Sequence, residues 1–446
     1  MKKEKKTDSV IITRKIELRI LESDESKINE CYQRLFDWRR DVCIGANMVV
    51  NHQYFNFMFK SQVKNRLDVD SGEKTKDWKV ASKMVESIYD TSILNTTYQM
   101  LTQKFPNLPS YIRCALNTQV VQKFNSDLSE VLKGQRTISN YKFGMPIPFS
   151  FSDGVGRLSK RVIGEEDEVV FNFLKDMAFV FRFGKDKSNN RVIVDRVLSG
   201  EYKFCDSSIS VEESKLFLNL VVQHAKNDVK LDYEKVLATN LGMNCPVFIT
   251  TSDKKKEAIG SKEEFWNVRK QFQRRYSELQ AALTQCKAGH GRDRKLKAMD
   301  RLKAAEKNFA KTYNHKISKE IVMFCIKNGI GTIKTEDLLG GGKTLEKTIV
   351  LRNWSYYQLQ SFLEYKAGMY NIKVVKVSPK NITKTCNCCK TVSSEAVNLE
   401  DRLYRCRNRE CLNYALPIDL DENASLNVLS ADVVPSDKKA KREKVL

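Results

Sequence analysis

Residues 386–425, CNCCKTVSSEAVNLEDRLYRCRNRECLNYALPIDLDENAS, constrain the fold more than any other stretch. Cys386 and Cys389 are separated by two residues, and Cys406 and Cys411 by four. Two such pairs, brought together across a hairpin, supply the four thiolates that tetrahedral zinc requires. Cys388 is the odd one, because a one-residue spacer seldom lets both thiolates reach one metal. Four thiolates leave no open coordination position, so the metal is expected to hold a small subdomain together rather than perform chemistry. Arg405, Arg407 and Arg409 interleave with the second pair and place positive charge at its rim. The knuckle runs directly into Asp421-Glu422-Asn423-Ala424-Ser425, where Asp421 opens a helix. A metal-held knuckle abutting such an aspartate points to a nucleic-acid enzyme or to a descendant of one.

The charge points the same way. Lys and Arg number 77 against 55 Asp and Glu, a net charge of +22. A compact protein gains nothing in folding from that self-repulsion, so a polyanionic partner is expected. No apolar run approaches the roughly 20 residues of a spanning helix. The start MKKEKKTDS has no apolar signal core behind it, and the expectation is a cytoplasmic protein. In that reducing compartment Cys31, Cys43, Cys114, Cys205, Cys245, Cys286 and Cys325, which share no spacing, read as small buried hydrophobes.

Taken in order, SVIITRKIELRI alternates apolar and polar residues as a strand does. Ile28, Cys31, Leu35, Trp38 and Cys43 then recur at helical spacing, and helical periodicity continues to about Leu132. TISNYKFGMPIPFSF carries two prolines and reads as edge strand or loop. DMAFVFRFGKD, NRVIVDRVLSG and SKLFLNLVVQHA read as further strands, punctuated by turn clusters. VLATNLG and CPVFITT are short apolar strands. A basic helical hairpin follows, with Phe265, Val268, Phe272, Tyr276, Leu279 and Leu283 on one stripe of its first arm. Arg274, Arg275, Lys295, Lys297, Arg301 and Lys303 decorate its arms as candidate nucleic-acid contacts. IGTIKTEDLLGGG is a strand delivering Glu336 and Asp337 before a glycine-rich loop. GGGKTLEKT lacks the upstream glycine of a nucleotide-phosphate loop. A helix, the strand NIKVVKVSP and the cysteine cluster complete an α/β alternation.

Phosphodiester cleavage with two metals needs carboxylates converging from different strands. Glu336 and Asp421 are two candidates, and a third belongs at the end of the strand VLATNLG, where the sequence has Asn240. TNLGMNCPVF, IKTEDLL, CNCC…CRNREC and DENASLNVL, in this order and spacing, resemble the miniature type V-F CRISPR effectors, relatives of the transposon-encoded TnpB nucleases. Over residues 1–230 only the layout matches.

The resemblance implies a multidomain α+β fold: a wedge β-barrel with an inserted helical recognition domain, then a RuvC-like domain of RNase H fold with a zinc-ribbon insert. In this numbering the first wedge strand is 1–22, the recognition domain 23–135 and the wedge barrel 136–230. The RuvC-like domain with its hairpin is 231–382, the zinc-binding target-nucleic-acid-binding insert 383–415 and the end of the RuvC-like domain 416–432. The tail, 433–446, has a disordered basic composition.

The family's catalytic positions fall on Asn240, Glu336 and Asp421. The first departs from aspartate, and Asp232 and Asp253 lie too far from the strand end to replace it. An amide lacks the charge that holds two cations together, so magnesium binding is expected to be weakened or absent and the chain to bind without cutting. The implied partners are a guide RNA, target double-stranded DNA with a flanking motif and a second copy of the chain on one guide. For transcription control, a sigma factor with RNA polymerase is implied as well. The implied location is prokaryotic, at the nucleoid when bound. Two alternatives are an active guided endonuclease with an engineered Asn240, and a TnpB-like transposon-associated protein.

Overall fold

The structure is a computed structural model. It describes residues 9–71, 78–150, 157–163, 166–186, 189–212, 215–241, 246–261, 263–286, 288–337 and 356–432. The glycine-rich loop after Glu336, the basic tail and Cys245 lie outside them. The chain divides into two compact units, Met1–Ala225 and Lys226–Leu446.

In the first unit β1 (Ser9–Ile20) turns Ile16, Leu18 and Ile20 inward, as its alternation requires. Four helices follow: α1 (Glu25–Ser71), α2 (Trp78–Tyr89), α3 (Ile93–Lys104) and α4 (Ser110–Leu132). Leu35, Trp38, Val42, Ala46 and Val49 form the buried stripe of α1. The chain then builds β2 (Ile147–Phe149), β3 (Arg157–Ile163), β4 (Glu166–Leu174), β5 (Met177–Arg182), α5 (Asn190–Leu198), β6 (Lys203–Glu212) and β7 (Lys215–Ala225). The sheet order is β2-β6-β7-β1-β5-β4-β3, antiparallel throughout. Its ends are β2 and β3, and no β2–β3 ladder closes a barrel among the described residues. Pro148, which cannot donate to a ladder, sits in the end strand β2, as expected. Phe149, Phe171, Phe173, Phe179 and Phe181 pack as one buried aromatic cluster, with Phe149 and Phe173 edge-on at 5.2 Å. Trp38 meets Phe173 at 6.3 Å, which seats α1 on the sheet.

One expectation fails here. NRVIVDRVLSG is a helix, α5, not a strand. The Asp186 carboxylate accepts hydrogen bonds from the Asn190 and Arg191 amides at 2.7 and 2.8 Å, capping the helix start. Ile193 and Val194, with Val197 one turn on, then form an apolar face. The β-branched run misled because its local preference is overridden by the cap and that face.

The second unit centres on a five-stranded sheet. Its strands are β8 (Asp232–Asn240), β9 (Val247–Thr251), β10 (Lys256–Ile259), β11 (Ile330–Glu336) and β12 (Lys373–Val377), in the order β10-β9-β8-β11-β12. β8, β9 and β10 are antiparallel neighbours, whereas β11 runs parallel to β8 and to β12. Between β10 and β11 the hairpin helices α6 (Val268–Thr284) and α7 (His290–Asn328) pack through Phe265, Phe272, Phe309 and Tyr313. Gly329, at φ +64°, ends α7, and Gly331 lets β11 approach β8 where a Cβ would meet the Asp232 carbonyl at 2.8 Å. α8 (Tyr356–Met369) leads to β12. Then come β13 (Val397–Asn398), β14 (Leu403–Tyr404), the short α9 (Leu412–Ala415), β15 (Ile418–Asp419) and α10 (Leu420–Ser430). Ala424 and Val428 of α10 pack against Ala238 and Val377, so the helix lies on the sheet near the ends of β8 and β12. Among the described residues no helix is long and apolar enough to cross a membrane.

Candidate metal centre and acidic site

The Sγ atoms of Cys386, Cys389, Cys406 and Cys411 all lie within 4.8 Å of one another. Cys386 and Cys411 are 3.6 Å apart and Cys389 and Cys406 are 3.4 Å apart. Those separations suit thiolates about 2.3 Å from a common tetrahedral ion, and they are far too long for disulfides. Cys388 is exposed and outside the set, as its spacing predicts. The hydrogen bond with Thr391 lowers the Cys389 thiol, whereas burial raises that of Cys406. The Asn413 side chain and the Asn408 amide donate to Cys386 and Cys406 at 3.3 and 3.4 Å, as donors around metal-bound sulfur do. This donor set fits a tetrahedral metal ion such as zinc.

The acidic site lies at one end of the five-stranded sheet. Thr335 of β11 pairs in parallel with Thr239 of β8, so the next residues, Glu336 and Asn240, end adjacent strands side by side. Asp419 accepts from the amides of Asp421 and Glu422 at 2.9 and 3.0 Å, capping α10 and fixing Asp421 in its first turn. Asn240 Nδ2 donates to Asp421 Oδ1 at 3.1 Å, and both residues are buried. The Arg402 guanidinium holds Asp421 Oδ2 at 2.6 Å. Burial pushes the Glu336 carboxyl up to about 7. Burial also raises Asp421, against the opposing pull of Arg402. Gln360 of α8 donates to the Glu336 carbonyl and steadies the strand end.

The structure therefore joins Asn240 and Asp421 directly and sets Glu336 beside Asn240. Asp232 begins β8, at the opposite end of that strand from Asn240, and Asp253 lies beside Lys235 in the turn after β9, so neither substitutes. Arg402 was not singled out from sequence. It lies among other arginines between the cysteine pairs, and only its contact with Asp421 sets it apart. His315 stacks on Phe362 at 3.8 Å.

The candidate nucleic-acid residues separate into groups. Arg275, Lys297 and Arg301 on the hairpin and Arg405 and Arg409 on the knuckle are exposed. Arg274, Lys303 and Arg407 are exposed but pair with Glu278, Asp300 and Glu395. Lys295 is committed elsewhere: its Nζ reaches the Ala282 carbonyl at 3.0 Å and Cys286 Sγ at 2.8 Å, tying the hairpin tip together.

Residues 356–428 match the family described as Cas12f1-like, TNB domain. A CRISPR-associated endodeoxyribonuclease Cas12f1 of Sulfoacidibacillus thermotolerans is 26% identical over 332 residues, covering 71% of this chain and 77% of that protein. A TnpB-like protein of Methanocaldococcus jannaschii is 31% identical over 96 residues, covering 20% of this chain and 34% of that protein. The fold is shared with a cryo-EM structure of a Cas12f1–sgRNA–target DNA complex at a TM-score of 0.65 and 17% identity, covering 96% of this chain and 100% of that one. Together these similarities bear out the resemblance of this chain to the miniature type V-F CRISPR effectors and their TnpB relatives.

Proposed function

We propose that this chain is a guide-RNA-dependent, sequence-specific DNA-binding protein whose RuvC-like site does not cut. In this reading the second unit is the RuvC-like domain, because Glu336 and Asn240 at the ends of adjacent parallel strands, with Asp421 on a helix beside them, occupy positions from which an RNase H-type nuclease presents its carboxylates. The seven-stranded sheet is the wedge domain, α1–α4 are the recognition helices, and the knuckle is a zinc-bearing target-nucleic-acid-binding insert. Guide and target pair with each other to supply sequence specificity, while the protein reads a short flanking motif and holds the heteroduplex by its backbone. The net charge of +22 supports a phosphate-binding role of that kind.

One observation carries the inactive reading: both oxygens of Asp421 already accept hydrogen bonds from protein donors, Asn240 Nδ2 and Arg402. Only the NH₂ end of the Asn240 amide can face a carboxylate oxygen, so it turns a donor, the wrong polarity for a cation, toward the site. The bridging charge that two-metal catalysis demands is missing. Burial disfavours the charged form of Glu336 as well.

Binding without cleavage leaves blocking of transcription or recruitment of polymerase through a partner such as a sigma factor. An exposed apolar face on α1 (Tyr54, Phe55 and Met58) supports a second copy of the chain on the same guide. The test uses the guide-loaded protein, matched target duplex and magnesium or manganese. The expected result is a stable, guide-dependent gel shift with intact strands, and strand scission by the purified complex refutes it.

A further inference from the structure

The helix that carries Asp421 is laced to the cysteine knuckle from two sides. Asn423, fully buried, straddles Cys386: its Oδ1 accepts from the Asn387 amide and its Nδ2 donates to the Thr385 carbonyl, both at 2.9 Å. One turn on, Asn427 Nδ2 donates to the carbonyls of Ile382 and Thr385 at 3.0 and 2.7 Å. Lys390 reaches Ser430 Oγ at 2.8 Å. From the other side comes Arg402, which lies in sequence between Cys389 and Cys406. Its carbonyl accepts from the Leu420 amide at 3.0 Å while its guanidinium holds Asp421. Asparagine is a poor helix former, and a buried amide is costly unless satisfied. In α10 both amides spend their hydrogen bonds on the knuckle loop rather than on their own helix.

We propose that Asn423 and Asn427 are positioning residues that make the placement of Asp421 depend on the metal ion of the four-cysteine knuckle. This inference rests on the metal-site reading. The loop around Cys386 and the hairpin bearing Arg402 are separate segments of chain, and the cysteines are what gather them around one point. When they converge, both grips on the first turn of α10 are set together. When they part, Asp421 keeps its own cap, Asp419, but loses the fixed relation to Arg402 and Asn240. The coupling runs both ways: whatever loosens α10 must weaken the hold on the metal by the same factor.

The experiment uses the full chain as purified. Zinc content is measured, zinc release into a chromogenic chelator is timed, and amide exchange is followed for α10 before and after chelation, with β7 as the internal reference. Asn423→Ala is expected to speed zinc release by about 10- to 100-fold, the usual effect of losing a group that supports metal ligands. Asn423→Asp turns an acceptor toward the Thr385 carbonyl and buries a charge beside four thiolates, so it is expected to release zinc at least as fast as Asn423→Ala. A general loss of stability in the second unit would also raise β11 exchange, which is expected to stay at the wild-type level in Asn423→Ala. In the wild type, which needs no substitution to fold, chelation is expected to raise α10 exchange at least tenfold while β7 keeps its protection. Zinc extracted with α10 protection unchanged, or release from Asn423→Ala at the wild-type rate, overturns the coupling and leaves the metal site standing. A chain that holds no zinc and takes up none overturns both.

Discussion

Replacing Asn240 by aspartate puts a second carboxylate where Nδ2 now donates to Asp421 Oδ1 at 3.1 Å. Two unit charges about 4 Å apart repel by about 4 kcal/mol at an effective dielectric of 20. Arg402, at 2.6 Å from the other oxygen, offsets part of this, leaving a destabilisation of about 2–3 kcal/mol at pH 8. The deficit has a sign in pH. Burial already raises Asp421, and it pushes Glu336 up to about 7, so the variant's acids hold protons in the folded state more tightly than in the unfolded one. Stability is then lost as pH rises through those raised values, and the deficit shrinks toward pH 5. A divalent ion relieves the same repulsion: at 100 times its Kd it restores about 2.7 kcal/mol. For a unit of this size that corresponds to a rise in Tm of about 5–10 °C. Thermal unfolding of wild type and Asn240→Asp with and without manganese, at pH 5 and pH 8, reads all of this. The wild type is expected to respond to manganese by less than about 1 °C. Equal manganese shifts in the two proteins, or a variant as stable as wild type at pH 8 without metal, refute the charge argument.

Other outcomes follow from the same geometry. Between about pH 4.5 and pH 7 the unfolded chain releases the Glu336 proton before the folded one does, so Glu336 contributes a stability that falls with rising pH, by up to about 3 kcal/mol. Glu336→Gln should flatten that part of a denaturation-versus-pH curve. Arg275→Ala and Arg301→Ala should each weaken nucleic-acid binding on every sequence and reduce the salt slope by about 1, measured by titration at several salt concentrations. Lys295→Ala should leave the slope unchanged and lower the stability of the hairpin tip, because that ammonium is already spent on Cys286 and Ala282. Phe171→Ala, at the centre of the aromatic cluster, should cost about 3–5 kcal/mol in chemical denaturation.

Much of the framework was legible because periodicity and burial agree. β1, β7 and the α1 stripe are alternating or 3.6-residue patterns whose apolar face is also the buried face. From thiolate reach alone, the cysteine spacing anticipated that Cys386, Cys389, Cys406 and Cys411 gather within reach of one metal ion and that Cys388 stays outside. Other strands were hidden: β3 (RLSKRVI) and β6 (KFCDSSISVE) carry charged or small polar residues that blur the alternation. The α5 helix was misread because its cap, Asp186, lies inside what looks like a turn cluster. At the site, strand ends placed Asn240 and Glu336, and a capped helix placed Asp421. Arg402, Gln360 and the Asn423 clamp were not readable. Their roles depend on which of many similar residues the knuckle brings against α10 and β11, and spacing along the chain does not encode that.

In the proposed reading, a neutral amide at position 240 leaves the site unable to gather the cations that scission requires. The most direct measurement incubates guide-loaded wild-type protein with end-labelled target duplex and manganese, then resolves both strands on a denaturing gel. Full-length strands are expected from a duplex that is demonstrably bound. Metal-dependent, guide-directed cuts in either strand by the wild-type chain would contradict it.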